Sequence, residues 1–192
     1  MKYYFLACRP KQWPKNLLVF AVPLFSFVFD LRIWGQSFLT FICFCLISSS
    51  IYLINDCIDI NSDRSHPFKK FRPIASGKLK IKSAIYFSIL LSLLSLVLAL
   101  NINLSLFLII ISYTIIQLFY CLKLKNLPIL DLFCITFGFL LRAIAGGIAT
   151  NLFISSWFIL TVGLLSLFLA VEKRKAELRV CLEKGVITRE VL

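Results

Sequence analysis

Eighteen residues without a charge, SFLTFICFCLISSSIYLI at 37–54, run directly into NDCIDINSDRSHPFKKFRPIASGK at 55–78. The first stretch is close to the roughly 17–25 apolar residues that cross a bilayer. The second puts three carboxylates, Asp56, Asp59 and Asp63, behind Asn55 where the apolar run meets water, and follows them with cations. Positions 55, 59 and 63 recur every four residues, and 56, 59 and 63 at three and four, so on a continuous helix they share one stripe. Like charges this close repel one another, and a hard cation removes the conflict. Mg²⁺ takes oxygen ligands and is usually held by one or two carboxylates plus substrate phosphates. Lys69, Lys70 and Arg72 follow in a loop stiffened by Pro67 and Pro73 and turned at Gly77; they complement phosphate oxygens, Arg72 with a bidentate fork. His66, before Pro67, reads as a loop residue.

Outward from this junction the chain stays apolar. Of 192 residues 60% are hydrophobic and 16% charged, against about 25% charged in a soluble domain. Further apolar blocks cover Trp13–Phe29, Ser83–Leu100, Leu104–Leu122, Leu127–Ala149 and Leu152–Val171. The expectation is an all-α, polytopic transmembrane helical bundle of about six helices, one domain over 1–192; core helices of a soluble protein are the competing reading. Nineteen of the 21 cations fall in alternate connections. Lys2, Arg9, Lys11 and Lys15 precede or open the first block, seven lie between the second and third, Lys123 and Lys125 follow the fourth, and six follow the sixth. The positive-inside rule makes that side, and both termini, cytoplasmic. The net charge of +12 is thereby topogenic, and no nucleic-acid partner is expected.

Seven cysteines without a C-x-x-C pair suggest free thiols and no zinc. The basic start and first apolar block resemble a signal peptide, but no small-residue cleavage site follows and Pro23 interrupts the block, so a retained first helix is expected. Asp30–Gly35, Asn101–Asn103 and Ala149–Ser155 are short outer connections. After the sixth block a charged cytoplasmic helix is expected, broken near Gly185, with Glu177, Cys181 and Lys184 on one face. Tyr120, Lys123, Lys125 and Asp131 gather where the fourth and fifth blocks meet the inner face. Arg142 stands inside the fifth block, and an intramembrane cation faces a cavity or a partner. Ala143, Ala145, Gly146 and Gly147 beside it suit close helix contact.

NDxxDxxxD followed by HPxKxxRPIASG resembles the first aspartate-rich motif of the UbiA superfamily of intramembrane prenyltransferases. RPKQWPKNLLVFAVPLF at 9–25 and LKNLPILDLFCITFGFLLRAIAGG at 124–147 are similar to one branch of it, the decaprenyl-phosphate phosphoribosyltransferases. The resemblance implies a helical bundle whose polar cavity faces the cytoplasm and opens sideways to lipid, in a bacterial inner membrane. It implies Mg²⁺ as cofactor, phosphoribosyl diphosphate as donor and a polyprenyl phosphate as acceptor. Carried onto this chain, Asp56 and Asp59 coordinate Mg²⁺, Asp63 does so directly or through water, and Asn55 orients them. Lys69, Lys70 and Arg72 hold diphosphate or ribose phosphate. Arg9, Lys11, Lys15 and Asn16 grip the lipid phosphate or the donor's 5-phosphate, and Tyr120, Lys123, Lys125, Asp131 and Arg142 make a second substrate region. Asp131 stands alone, with Ile135 where a second carboxylate would fall, which suits a phosphoribosyl donor better than an allylic one. The alternatives are transfer of an isoprenoid chain from prenyl diphosphate, and an inactive truncated remnant. Against a nine-helix family fold the chain lacks its last third, so the expectation is inactivity alone or a partner chain supplying the remaining helices.

Overall fold

The computed structural model describes residues 1–184, apart from the side chains at 126, 128, 177 and 180–184. The expected break near Gly185 and the face shared by Glu177, Cys181 and Lys184 lie outside those descriptions. The described chain is all-α. Helix α1 (Lys2–Ala7) leads into a 3-10 helix (Pro10–Phe20) and α2 (Ala21–Phe25). Then come α3 (Leu31–Ile58), α4 (Ile60–Ser65), α5 (Ile81–Ile102), α6 (Leu104–Leu122), α7 (Pro128–Thr150) and α8 (Ser156–Lys184). Among the described residues five helices, α3 and α5–α8, are long and apolar enough to cross a membrane.

The first apolar block departs from expectation: it is no α-helix of membrane length. Pro10 and Pro14 each lack a backbone N–H, and eleven residues instead form a 3-10 helix, where runs beyond three or four are uncommon. At about 2.0 Å per residue this segment rises roughly 22 Å. It runs antiparallel along α3. Arg9 at its start pairs with Asp56 near one end of α3, and Phe20 at its finish stacks on Trp34 near the other. Among the described residues the expected six membrane helices thus become five, with the first block an irregular segment beside α3. The turn expected at Asp30–Gly35 also moves: Asp30 caps α3, its carboxylate accepting from the Arg32 N–H at 2.7 Å, so the helix starts at Leu31.

Small residues set the packing. Ala84, Ser88, Leu91, Ser95 and Ala99 recur at three and four along α5 and are buried, the pattern that lets membrane helices approach closely. Ser50 and Ser92 share a hydrogen bond at 2.7 Å, and Ser95 donates to the Cys43 carbonyl at 2.9 Å, tying α5 to α3. Helix α7 is central, touching α3, α6, α8 and the 3-10 segment. A Cβ on its Gly146 would come within 2.8 Å of the Val19 carbonyl carbon, so only glycine admits the 3-10 backbone there. Asn103 caps α6, accepting from the Leu106 N–H at 2.7 Å and donating to the Ile148 carbonyl at 3.1 Å.

Candidate active site

The acidic stretch does not form one continuous helix. Asp59 ends α3 as its cap and opens the six-residue α4, so the stripe predicted over 55–63 breaks at its middle member. Asp56 and Asp63 are each 2% exposed and meet one cation: Arg72 Nη1 donates to Asp56 at 3.2 Å and to Asp63 at 2.6 Å. Arg9 also pairs with Asp56. Asp59 turns the other way and pairs with Lys125 from the α6–α7 connection. Three carboxylates are thus matched by three cations that come from three separate parts of the chain.

The local backbone explains the convergence. Arg9 takes left-handed φ 52° between α1 and the 3-10 helix, on the order of 1 kcal/mol of strain for a residue with a Cβ; that corner aims its guanidinium at Asp56 and over the Tyr52 ring, 5.0 Å from the centroid. The loop carrying Arg72 is held at both ends. His66 Nδ1 accepts the N–H groups of Phe68 and Lys69 at 3.2 and 3.3 Å, Arg64 donates to the Ala75 carbonyl at 3.2 Å, and Gly77 turns the chain at φ 75°. Burial, then the charge of Lys69, pulls the His66 pKa below its ordinary value, consistent with a neutral ring that accepts.

The remaining expected residues divide. Asn55 is half-buried beside Asp56, and its carbonyl accepts the Asp59 N–H at 2.9 Å. Lys70 is exposed and lies over the Phe71 ring, Lys69 sits beside His66 in the same loop, and Lys11 and Lys123 are exposed. Asp131 is buried and held by two neighbours: Tyr120 Oη donates to it at 2.9 Å and Arg174 Nε at 2.6 Å. It braces α8 against α6 and α7. Asn16 and Arg142 form a buried network deeper in the bundle. Arg142, 6% exposed, donates to Asn16 Oδ1 at 2.8 Å, to the Gly138 carbonyl at 2.6 Å and to Tyr113 Oη at 2.6 Å. Its guanidinium lies 4.9 Å from the Tyr113 ring centroid. Asn16 donates weakly to Cys45 and Ser48 on α3.

Several contributors were missed from sequence. Tyr52 lies one turn before Asp56 on α3. Tyr113 stands seven residues before the expected Tyr120 on α6, two helical turns along the same face, a polar spacing in an apolar helix that was there to be read. Arg174, 43 residues from Asp131, carried no such signal. Trp13 Nε1 donates to Ser49 at 3.1 Å, and both line a cavity of about 910 Å³ bounded by α1, α3, α5 and the 3-10 segment. That cavity carries no carboxylate and is no place for a metal-bound diphosphate.

The donor set passes a chemical test for a hard cation. It is all oxygen, and one oxygen of each aspartate lies outside the described ion pairs. Among the described residues no three acidic, histidine or cysteine side chains converge as a metal group. Mg²⁺ needs only one or two carboxylates when phosphates complete the shell, and Asp56 and Asp63 are close enough to share one cation, here Arg72.

The sequence profile of the UbiA prenyltransferase family matches residues 15–177. The chain belongs to that family. A decaprenyl-phosphate phosphoribosyltransferase of Mycolicibacterium smegmatis is 41% identical over 191 residues, covering 97% of this chain and 60% of the relative. One from Corynebacterium glutamicum is 40% identical, covering 97% and 58%. The chain therefore spans about 60% of the length of the curated relatives it matches. Among solved structures, a UbiA homolog from Archaeoglobus fulgidus bound to GPP and Mg²⁺ superposes with a TM-score of 0.79 at 22% identity, over 95% of this chain and 66% of that one. A digeranylgeranylglyceryl phosphate synthase structure gives 0.72 at 26% identity, over 86% and 58%. The UbiA fold and the five apolar helices make this an integral membrane protein.

Proposed function

We propose that this UbiA chain carries the donor site of a Mg²⁺-dependent membrane transferase that moves a 5-phosphoribosyl group from phosphoribosyl diphosphate to a polyprenyl phosphate. The observation that carries the reading is the buried Asp56–Arg72–Asp63 bridge, with Arg9 and Lys125 beside it, at the end of α3. The relatives near 40% identity bear that activity in their names, and the Archaeoglobus fulgidus homolog was solved with Mg²⁺ and a diphosphate-bearing ligand. The site faces the cytoplasm of a bacterial inner membrane, with the N-terminus and the end of α8 on that side, where the basic connections gather.

Asp56 and Asp63 are the ligands for Mg²⁺, with Asp59 within the same loop junction; the ion supplies charge neutralisation for diphosphate. Arg9, Arg72 and Lys125 present N–H donors to phosphate oxygens. In the transfer, the bond from ribose C1 to the diphosphate oxygen breaks, the electron pair leaves with diphosphate, and a lipid phosphate oxygen bonds to C1. Negative charge grows on the leaving group, so cations fixed there stabilise the transition state more than the ground state. The acceptor phosphate is already anionic and needs no strong base. Asp131 is held by Arg174 and Tyr120, which leaves one acidic cluster rather than two and favours this donor over an allylic diphosphate.

Radiolabelled phosphoribosyl diphosphate is expected to bind the chain in nanodiscs only when Mg²⁺ is present. Mg²⁺-dependent binding of prenyl diphosphate but not of phosphoribosyl diphosphate would overturn the reading in favour of a prenyltransferase. Asp56→Asn is expected to abolish Mg²⁺-dependent diphosphate binding; unchanged binding would mean a remnant without a site.

A further inference from the structure

The cavity of about 910 Å³ between α1, α3, α5 and the 3-10 segment is lined mainly by apolar side chains. Its α3 wall runs from Phe41 to Ser49, about 12 Å of helix. Phe87 and Leu91 line it from α5. Two edge-to-face aromatic pairs hold α1 over it: Tyr4 on Phe87, with ring centroids 5.1 Å apart, and Phe5 on Trp13 at 6.0 Å. The polar groups of the wall are engaged among themselves. Trp13 Nε1 donates to Ser49, whose hydroxyl lies 3.1 Å from the Cys8 carbonyl and 2.6 Å from that of Cys45. Charge enters only at the start of α1. Lys2, in its first turn, lines the cavity. The Lys78 ammonium lies 5.5 Å from the ring centroid of the adjacent Tyr3, and Leu79 is buried in one cluster with Ala7 and Cys8 of α1. Both lysines are exposed. No carboxylate occurs in residues 1–29 or 64–130, so the segments around them carry no acidic counter-charge.

We propose that this cavity seats an anionic phospholipid as a structural lipid: its headgroup phosphate lies at Lys2 and Lys78, and its acyl chains run down α3 as far as Phe41. The proposal does not depend on the transferase reading. Charge complementarity selects an anionic head, because exposed lysines stand at one end of an otherwise apolar space and the cytoplasmic leaflet presents anionic lipids to such cations. The space is about thirty times the ~30 Å³ that one water occupies. A methylene group is of similar bulk, so the cavity admits much of two acyl chains rather than the start of one. Position separates this lipid from the acidic cluster. Lys2 opens α1 and Arg9, which pairs with Asp56, follows its end, about 10 Å of helix away. A phosphate at Lys2 therefore takes no part in chemistry at the carboxylates.

The test uses the whole chain carrying Trp34→Phe and Trp157→Phe, which leaves Trp13 in the cavity wall as its one tryptophan. Phosphatidylcholine nanodiscs receive increasing amounts of phosphatidylglycerol or phosphatidylcholine brominated on the acyl chains, where bromine quenches a tryptophan it touches. Brominated phosphatidylglycerol is expected to half-quench Trp13 at a mole fraction roughly tenfold lower than brominated phosphatidylcholine, the preference two lysines supply. Lys2→Gln with Lys78→Gln should abolish that preference. Lys70→Gln with Lys123→Gln, the same charge lost elsewhere, should keep it. Leu46→Phe, which narrows the cavity, should weaken quenching by both lipids, and thermal melting confirms that each variant is folded. Equal quenching by the two lipids, no quenching by either, or a preference that survives the loss of Lys2 and Lys78 would each overturn the proposal. Displacement of the brominated lipid by farnesyl phosphate more readily than by phosphatidylglycerol would also overturn it, in favour of a single-chain occupant.

Discussion

Gly146→Ala tests whether the irregular first segment is positioned by close backbone contact. A Cβ at 146 would sit 2.8 Å from the Val19 carbonyl carbon, 0.6 Å short of the 3.4 Å where ordinary contact begins, and nearer still to the carbonyl oxygen. The obstacle is backbone, so no rotamer relieves it, and the 3-10 segment must retreat from α7. Overpacking of this kind costs about 1–3 kcal/mol. The same retreat stretches the 2.8 Å bond from Arg142 to Asn16 toward the limit of hydrogen-bond length, adding about 1 kcal/mol. At roughly 2–4 °C per kcal/mol for a chain of this size, melting in detergent should fall by on the order of 10 °C. Arg9 stands at the start of the displaced segment and pairs with Asp56, so Mg²⁺-dependent diphosphate affinity should drop as well. Gly35→Ala is the control: nothing lies within 4 Å of its Cβ, and alanine in a helix gains up to about 1 kcal/mol. Equal melting temperatures for the two variants would refute the account of how the first segment is seated.

Arg72→Gln should destabilise the chain by about 3 kcal/mol, because it strips a buried carboxylate of its partner. Combining it with Asp63→Asn should recover part of that loss, with a coupling energy of at least ~1 kcal/mol in a double-mutant cycle of denaturation; strictly additive effects would show that the two do not act as a pair. His66 gives a pH dependence of defined sign. Its folded pKa lies below its ordinary value, so the unfolded loop takes up a proton first as pH falls. The loop's stability is full above about pH 6.5 and is lost as pH drops through the lower folded value. The protection of the Phe68 and Lys69 amides, measured against intrinsic exchange at each pH, should fall between pH 7 and 5, and the fall should vanish in His66→Asn; an equal fall in that variant would assign the effect to another group.

The membrane spans, their order and the acidic junction were legible because each is a local property. A run of eighteen apolar residues has one stable environment whatever surrounds it. The single stripe over 55–63 was only half right. Helical spacing assumes a continuous helix, and α3 ends at Asp59, which sends that carboxylate to Lys125 while its neighbours share Arg72. The first block misled in the same way, since mean hydropathy marks an apolar run without saying which helix it makes; two prolines decided that.

By itself the amino-acid order determined that the chain lives in a bilayer, that its cations gather in alternate connections, and that three carboxylates stand at one mouth of the bundle. Tertiary structure decided which cation meets which carboxylate, that Asp131 serves as a brace for Arg174, and that Asn16 meets Arg142 deep in the bundle rather than the acidic cluster. The reason is range. Burial and helix formation are settled within a few turns of chain, whereas an ion pair such as Arg9–Asp56 or Arg174–Asp131 joins residues more than forty positions apart, and only the packing of α7 against the 3-10 segment and α8 brings such partners within reach.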